Sequence, residues 1–204
     1  MAAPPAAAGP GPRIDLLVLG EHRRDDLDYP GGTVEQRTSR LGAYLHEISD
    51  PRLQPGIHAG WLQVRQQDNP VTDGLTLSGY FAGVGLRSYL FHRSPVGFNS
   101  QVRYTWHATG GRAAGRDIEL EWTELSVRAG PVVRWERLRW GVGGYAIAID
   151  GEQTVGGATT DFEEDRRTGA YTSLDLLLDG AGYVGVHADT GGNAGIHLVF
   201  GRTY

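Results

Sequence analysis

The segment Val96–Ala108 alternates between apolar and polar residues almost without interruption. Its apolar set is Val96, Phe98, Val102, Tyr104, Trp106 and Ala108, with Ser100 as the one polar member. Successive side chains of a β-strand point to opposite faces, whereas a helix would mix the two sets around its whole circumference. The segment therefore predicts a β-strand that has one apolar face and one polar face.

Similar alternation recurs along the rest of the chain. It covers Ile14–Glu21, Thr38–Glu47, Ile57–Arg65, Tyr80–Leu90, Ile118–Ala129, Leu138–Ala148, Ala170–Leu178, Tyr183–Asp189 and the C-terminal segment ending at Tyr204. Within Ile118–Ala129 the phase slips at Thr123–Glu124, which predicts a β-bulge. Ten strands predict an all-β fold, a single closed up-and-down antiparallel barrel, with eight strands as the alternative if a weak segment fails.

The predicted connections differ in length between the two ends of this barrel. Four of them are long and rich in Gly, Asp and Arg, namely 23–34, 66–74, 109–117 and 150–161. At the other end they are mostly short, as at Trp135–Arg137. Long loops on one rim and short turns on the other are typical of barrels that cross a membrane.

The polar face of the predicted strands carries mid-strand charges of both signs together with many glycines. We predict that it lines a lumen formed by Asp15, Arg40, Arg87, Gln101, Arg103, Arg139 and Asp175. A solvated outer surface gains no packing from so much glycine. In a narrow lumen, glycine makes room for bulky neighbours such as Tyr145 and Tyr171.

The apolar face would then be the outer surface of a transmembrane barrel. Aromatic residues are predicted near its strand ends, as interface girdles require, at Tyr80, Tyr104, Trp106, Trp122, Trp140 and Tyr204. Alternation alone does not say whether apolar residues face lipid or a core. A soluble, lipocalin-like barrel that binds an apolar ligand is therefore the alternative.

Composition narrows the chemistry that is open to the chain. All 19 basic residues are Arg, the 24 acidic residues give a formal net charge of −5, and there is no Cys. This balance argues against nucleic-acid binding, and the lack of Cys excludes disulfides and thiolate metal sites. Residues 1–12, rich in Ala, Pro and Gly, are predicted to be a disordered leader, and residues 13–204 the barrel domain.

The final strand places apolar residues at alternate positions and ends on an aromatic residue, through Ile196, Leu198, Phe200 and Tyr204. This segment resembles the C-terminal strand of bacterial outer-membrane β-barrel proteins. The resemblance implies recognition by the barrel-assembly machinery, insertion into the outer membrane and contact with its lipids.

Candidate chemistry is sparse. The seven His show no metal-binding spacing, and no cofactor motif is present, so we expect neither a metal nor a cofactor. The predicted function is a small outer-membrane barrel of structural, envelope or narrow-channel type. A lipid-modifying hydrolase is the enzymatic alternative, with weak catalytic candidates His107, His187, Asp189 and Glu121.

Two clusters of mixed charge, in 23–28 and 161–167, are predicted to stand at the outer surface. Their arginines could bind lipopolysaccharide phosphates, and their carboxylates could bind bridging divalent cations.

Overall fold

The computed structural model describes residues 13–67, 69, 72–91, 94–113, 115–178, 181–191 and 194–204. The predicted leader 1–12 lies outside them. The strands are β1 Ile14–Tyr29, β2 Gly32–Glu47, β3 Gln54–Gln67, β4 Thr76–Leu90, β5 Val96–Ala113, β6 Arg116–Trp135, β7 Leu138–Val155, β8 Ala158–Leu177, β9 Gly182–Gly191 and β10 Ala194–Thr203. No helix among the described residues is long and apolar enough to cross a membrane.

The ten strands form one closed antiparallel barrel in which each strand pairs with the next and β10 pairs with β1. Closure brings the two ends of the described chain together, because Ile14 and Tyr204 exchange backbone hydrogen bonds of 3.1 and 2.7 Å. This confirms the prediction of a ten-stranded up-and-down barrel. We call the rim that holds Ile14 and Tyr204 the turn end and the opposite rim the hairpin end.

Three of the four predicted long loops are wrong, because the strands continue through them. The segments 23–34, 109–117 and 150–161 are tall β-hairpins that extend the barrel wall. The hairpin of β7 and β8 turns at Gly156 and Gly157, whose φ angles of 56° and 90° favour glycine. The outer face of these extensions meets water and carries polar residues. The alternation of apolar and polar residues that predicts a membrane-facing strand is therefore absent from them.

Towards the turn end, the outer surface of the barrel is a continuous apolar band, here called the belt. Its exposed residues include Val18, Leu41, Leu45, Ile57, Trp61, Tyr80, Val84, Leu86, Phe98, Val102, Tyr104, Trp106, Leu125, Val127, Trp140, Val142, Leu174, Val186, Ile196, Leu198 and Phe200. On β5 the belt runs from Phe98 to Trp106, close to the roughly 9 to 11 residues with which a tilted strand crosses a bilayer.

Towards the hairpin end, the apolar residues face the interior instead. This upper core consists of Leu27, Val34, Leu62, Val64, Leu77, Ile118, Leu120, Trp122, Ile149 and Phe162. The outer face at this level is polar, so the interior is the only place where these side chains avoid water. The barrel therefore has a polar lumen inside the belt and an apolar core above it.

Strand β6 crosses between these two regions, and it corrects two predictions. Its pairing with β5 is continuous from Val133 to Arg116, so there is no bulge at Thr123–Glu124. Trp122 is only 2% exposed and belongs to the upper core, not to an outer girdle. The apparent phase slip arises because apolar residues change faces where the surroundings change, while the backbone stays regular.

The hairpin of β9 and β10 is shorter than its neighbours, and the wall closes above it in another way. Both strands have 10 residues, against 20 in β8. Beyond this hairpin β8 meets β1 directly, through the pairing of Asp28 with Glu163. Arg167 Nη2 also donates a hydrogen bond of 2.7 Å to the carbonyl oxygen of Asp26. The upper part of the wall thus contains eight strands.

Interior glycines face aromatic rings on neighbouring strands. A Cβ atom on Gly143 would lie 2.7 Å from Cε1 of Tyr171, and one on Gly169 would lie 2.5 Å from Cζ of Tyr145. Both pairs are directly opposite in the register. Each ring covers the bare backbone of its partner, as predicted for Tyr145 and Tyr171.

Gly151 provides a test of this packing in the upper core. It lies between Trp122 and Phe162, and an added Cβ would meet atoms of both side chains at 2.5 to 2.6 Å. Gly151→Val is expected to destabilise the barrel by about 1 to 3 kcal/mol through overpacking. Denaturant titration in lipid vesicles measures this loss. The control is Gly20→Ala, because a Cβ at Gly20 meets nothing within 4 Å; equal losses in both variants would contradict the packing argument.

Candidate functional site

The polar lumen inside the belt begins near the turn end with two ion pairs. Arg87 Nη2 lies 2.8 Å from Oδ2 of Asp15, and Arg139 Nε lies 2.9 Å from Oδ2 of Asp175. Asp175 also binds Nε2 of His187, at 2.9 Å. Arg87 and Asp15 come from β4 and β1, so their ion pair connects separate parts of the wall, whereas Arg139 and Asp175 lie directly opposite each other on the neighbouring strands β7 and β8.

A second layer of charges lies where the lumen meets the upper core. We call it the junction network: Glu21, Arg23, Asp25, Arg40 and Glu124. Oε2 of Glu124 accepts hydrogen bonds from Nη2 of Arg23 at 2.8 Å and from Nη2 of Arg40 at 2.9 Å. Arg23 Nε also donates to Asp25 at 2.8 Å. All five residues are at most 7% exposed, so these charges are neutralised by one another rather than by water.

His197 links the junction network to the rest of the lumen. Its Nδ1 lies 3.4 Å from Oε2 of Glu21, and its Nε2 lies 2.8 Å from Oδ2 of Asp189. Asp189 in turn forms a short ion pair with Arg128. A continuous chain of polar contacts therefore runs from Arg128 on β6, through Asp189 and His197, to Glu21 of the junction network on β1.

Two adjoining spaces remain within this polar interior. The lumen cavity has a volume of about 110 Å³ and is lined by residues that include Tyr44, Arg103 and Arg128. A recess of about 310 Å³ at the turn end is lined partly by Ile48 and Thr203. Both spaces have Arg87, Tyr89, Arg139 and Tyr183 in their walls. The cavity thus adjoins the turn end of the barrel, whereas the junction network and the upper core lie on its other side.

The structure places all seven predicted lumen residues on the inner face. Arg87, Gln101, Arg103, Arg139 and Asp175 line the lumen cavity, while Asp15 lines the recess and Arg40 belongs to the junction network. Sequence reasoning did not assign Glu124 to the lumen. The predicted bulge at Thr123–Glu124 obscured its phase, although the regular alternation of Leu125 and Val127 with Ser126 and Arg128 would have placed it inside.

The four weak catalytic candidates do not form one cluster. His107 is fully buried at the level of the upper core, where its ring stacks on Trp122 at 4.4 Å. His187 and Asp189 bind different partners, Asp175 and His197. Glu121 is exposed on the outer face of β6, on the other side of the wall from the three inward-facing candidates. It faces outward because it alternates with Leu120 and Trp122 of the upper core.

The hairpin end carries a group of polar side chains above the upper core. Gln66 Nε2 donates to the Tyr29 hydroxyl at 2.9 Å, and that hydroxyl donates to Gln153 Oε1 at 3.0 Å. Burial raises the pKa of Tyr29 to about 12, against the opposing effect of the Gln66 hydrogen bond. The phenol therefore stays neutral at every physiological pH and acts as a structural donor.

Charges on the outer face of the tall hairpins differ between two sides. Strands β6 to β8 present mainly acidic residues, Glu119, Glu121, Asp150, Glu152, Asp161 and Glu163. Strands β1 to β3 present both signs, with Arg24, Arg37 and Arg65 beside Asp28 and Glu35, and Glu35 forms ion pairs with Arg24 and Arg37. Of the predicted cluster 23–28, Arg23 and Asp25 point inward and join the junction network. In 161–167, the side chains of 165 and 166 lie outside the described residues. The two clusters are thus parts of the wall, not loops.

Comparison with known proteins finds similarity only at the level of structure. No family model and no curated protein matches the sequence. The outer membrane protease OmpT from Escherichia coli is similar with a TM-score of 0.54, covering 95% of both chains at 9% identity. The translocator domain of the autotransporter NalP from Neisseria meningitidis has a TM-score of 0.53, with 96% of this chain and 89% of that chain covered at 10% identity. The chain therefore has the fold of bacterial outer-membrane β-barrel proteins.

Proposed function

We propose that this protein is a closed barrel of the bacterial outer membrane, with a structural or envelope role rather than that of an open channel. The belt would lie in the hydrocarbon layer. The turn end would face the periplasm and the tall hairpins the exterior, as in other barrels of this fold. Membrane lipids are then the direct neighbours of the belt.

The junction network is the observation that carries this proposal. It places five charged side chains across the interior, each at most 7% exposed. Above it, Leu62, Val64 and Leu120 of the upper core are 0% exposed. An ion that crossed the barrel would have to displace the paired charges and then enter an apolar core without its hydration shell, which is strongly unfavourable. A narrow-channel function has no such support.

Insertion is tested by heat modifiability. The chain is refolded in detergent and in plain buffer, and its electrophoretic migration is compared with and without boiling. We expect a compact band in detergent that shifts on boiling, together with aggregation in buffer, because the belt exposes a large apolar surface. A monodisperse β-rich protein in buffer alone would support the lipocalin-like alternative instead.

Closure is tested by electrical recording. The refolded protein is reconstituted in planar bilayers, with a general porin in the same membranes as the positive control. We expect no stepwise conductance at neutral pH, while the porin conducts. Reproducible single-channel steps from this protein would contradict the closed barrel and favour the narrow-channel function.

Partners on either side of the membrane are part of the same proposal. Ile196, Leu198 and Phe200 project from the outer face of β10, with exposures of 60, 51 and 57%, where the barrel-assembly machinery could recognise them.

Arg24, Arg37 and Arg65 lie outside on β1 to β3, where they could bind lipopolysaccharide phosphates. Replacing these three arginines by Gln is expected to lower the amount of lipopolysaccharide that copurifies with the barrel. An unchanged amount would show that these arginines do not bind lipopolysaccharide.

A further inference from the structure

The charges around the lumen cavity are not balanced. Four arginines and two aspartates line the cavity and the adjoining recess, namely Arg87, Arg103, Arg128, Arg139, Asp15 and Asp175. Asp189 holds Arg128 from just outside this lining and leaves an excess of one positive charge. The junction network beyond the cavity has three carboxylates against two arginines, so the positive charge lies on the side of the turn end and the negative charge on the side of the junction network.

Arg103 is the source of this excess. Each of the other three lining arginines has a carboxylate partner: Asp15 for Arg87, Asp175 for Arg139 and Asp189 for Arg128. Among the described residues, Arg103 has no carboxylate within 4.0 Å, and its guanidinium instead lies 5.8 Å from the ring centre of Tyr44. The carboxylates of Glu21, Glu124 and Asp189 act on Arg103 only through space, so its guanidinium can still bind an anion that approaches to hydrogen-bond distance.

A second group points to the same kind of ligand. Nε of Arg128 is buried and has no hydrogen-bond partner in the structure, although the Nη2 atom of the same side chain binds Asp189. Buried donors are normally hydrogen-bonded. Arg128 lines the cavity together with Arg103. An oxyanion in the cavity could accept hydrogen bonds from both side chains.

We propose that the lumen cavity binds a small oxyanion, a carboxylate or phosphate group, that enters from the periplasmic side. Its volume of about 110 Å³ limits the bound group to a small anion or to the anionic end of a larger molecule that extends into the recess. The junction network, with its carboxylates Glu21, Asp25 and Glu124, stops the anion from going further outward. The cavity is thus a binding site with one entrance.

Charge selectivity can be measured because the natural chain has no Cys. Gln101 lines the cavity on the same strand and face as Arg103, so Gln101→Cys provides a single thiol within it. It is modified in detergent and in native membranes with a negatively charged methanethiosulfonate and with a positively charged one. We expect the anionic reagent to react about tenfold faster, after normalisation to free cysteine, because a confined positive charge concentrates anions.

Two further variants assign the effect. Adding Arg103→Gln should bring the two rates close together, whereas Arg112→Gln, the same change on the exposed outer face of the same strand near the hairpin end, should not alter their ratio. Equal rates on Gln101→Cys, or a ratio that Arg103→Gln leaves unchanged, would overturn the proposal. Ser173→Cys, which also places a thiol in the cavity, serves if Gln101→Cys does not fold.

Binding and sidedness require separate measurements. Inorganic phosphate and acetate, added one at a time, should slow the anionic reagent, and the one that protects at lower concentration identifies the preferred group. Protection by neither, even with anionic preference, would overturn the binding site. In a strain that lacks general porins, the thiol should react in permeabilised cells and not in intact ones; reaction in intact cells of that strain would overturn entry from the periplasm.

Discussion

Replacing Glu124 with Gln is expected to destabilise the folded barrel by about 3 to 5 kcal/mol, the usual cost of removing one partner from a buried ion pair. Oε2 of Glu124 is held by Arg23 at 2.8 Å and by Arg40 at 2.9 Å, and the side chain is 3% exposed. The neutral amide would leave both guanidinium groups short of their shared negative charge. The free energy of unfolding in lipid vesicles, from a denaturant titration, measures the loss.

The same strand offers the matched control. Glu121 lies three positions earlier and is exposed on the outer face, so Glu121→Gln should change the free energy of unfolding by no more than about 0.5 kcal/mol. Combining Glu124→Gln with Arg40→Met should recover part of the loss, because one unpaired charge is then removed. Similar effects of Glu124→Gln and Glu121→Gln would show that the junction network contributes little to stability.

Introducing Arg at Val84 is expected to cost about 2 to 4 kcal/mol, the range for a cation at the middle of the lipid-facing surface of a barrel. Val84 is 57% exposed, in the middle of the belt on β4, and is flanked in the register by Ile57 and Tyr104. Its side chain meets hydrocarbon in the folded barrel, and a guanidinium there would lose most of its hydration. Unfolding titrations in vesicles measure the effect.

Ser78 is the control for Val84. It lies on the same strand and face and is exposed above the belt, so Ser78→Arg should leave the free energy of unfolding within about 0.5 kcal/mol of the natural chain. A small cost at both positions would mean that water surrounds the belt. The lipocalin-like alternative requires apolar residues that point inward, whereas Val84 is 57% exposed on the outer surface.

Sequence alternation predicted the strands well, because it depends on local geometry alone. Val96–Ala108 could be nothing but a strand, and ten such segments suffice to close a barrel. Alternation shows which residues share a face of a strand, but it does not show whether that face meets lipid, water or the barrel interior. Trp122 and Leu125 are both apolar and lie three positions apart, so they occupy opposite faces of a regular strand. If the whole of β6 is assumed to have one apolar face, the change of face can be explained only by a bulge, and the structure has none there.

The lumen was predicted as a set of residue types rather than as a set of contacts. Arg40 and Asp15 could be assigned to the inner face from their phase. Their partners could not, because Glu124 is 84 residues from Arg40 and Arg87 is 72 residues from Asp15. Such pairs depend on strand register and barrel shear, which one sequence without homologues does not encode locally. The excess charge of Arg103 becomes visible only when every pair has been assigned.

The meeting of β8 with β1 above the short β9–β10 hairpin gives the barrel two circumferences. Ten strands surround the lumen inside the belt, whereas eight surround the upper core. Because barrel diameter grows roughly in proportion to strand number, the upper ring is narrower by about a fifth. Side chains of ordinary size fill an eight-stranded ring, and Leu120 and Trp122 lie buried within it. Asn69 of the β3–β4 connection is also buried and donates a hydrogen bond to Gln153 on β7. The taper of the wall thus brings the strands close enough together for ordinary side chains to close the top of the barrel.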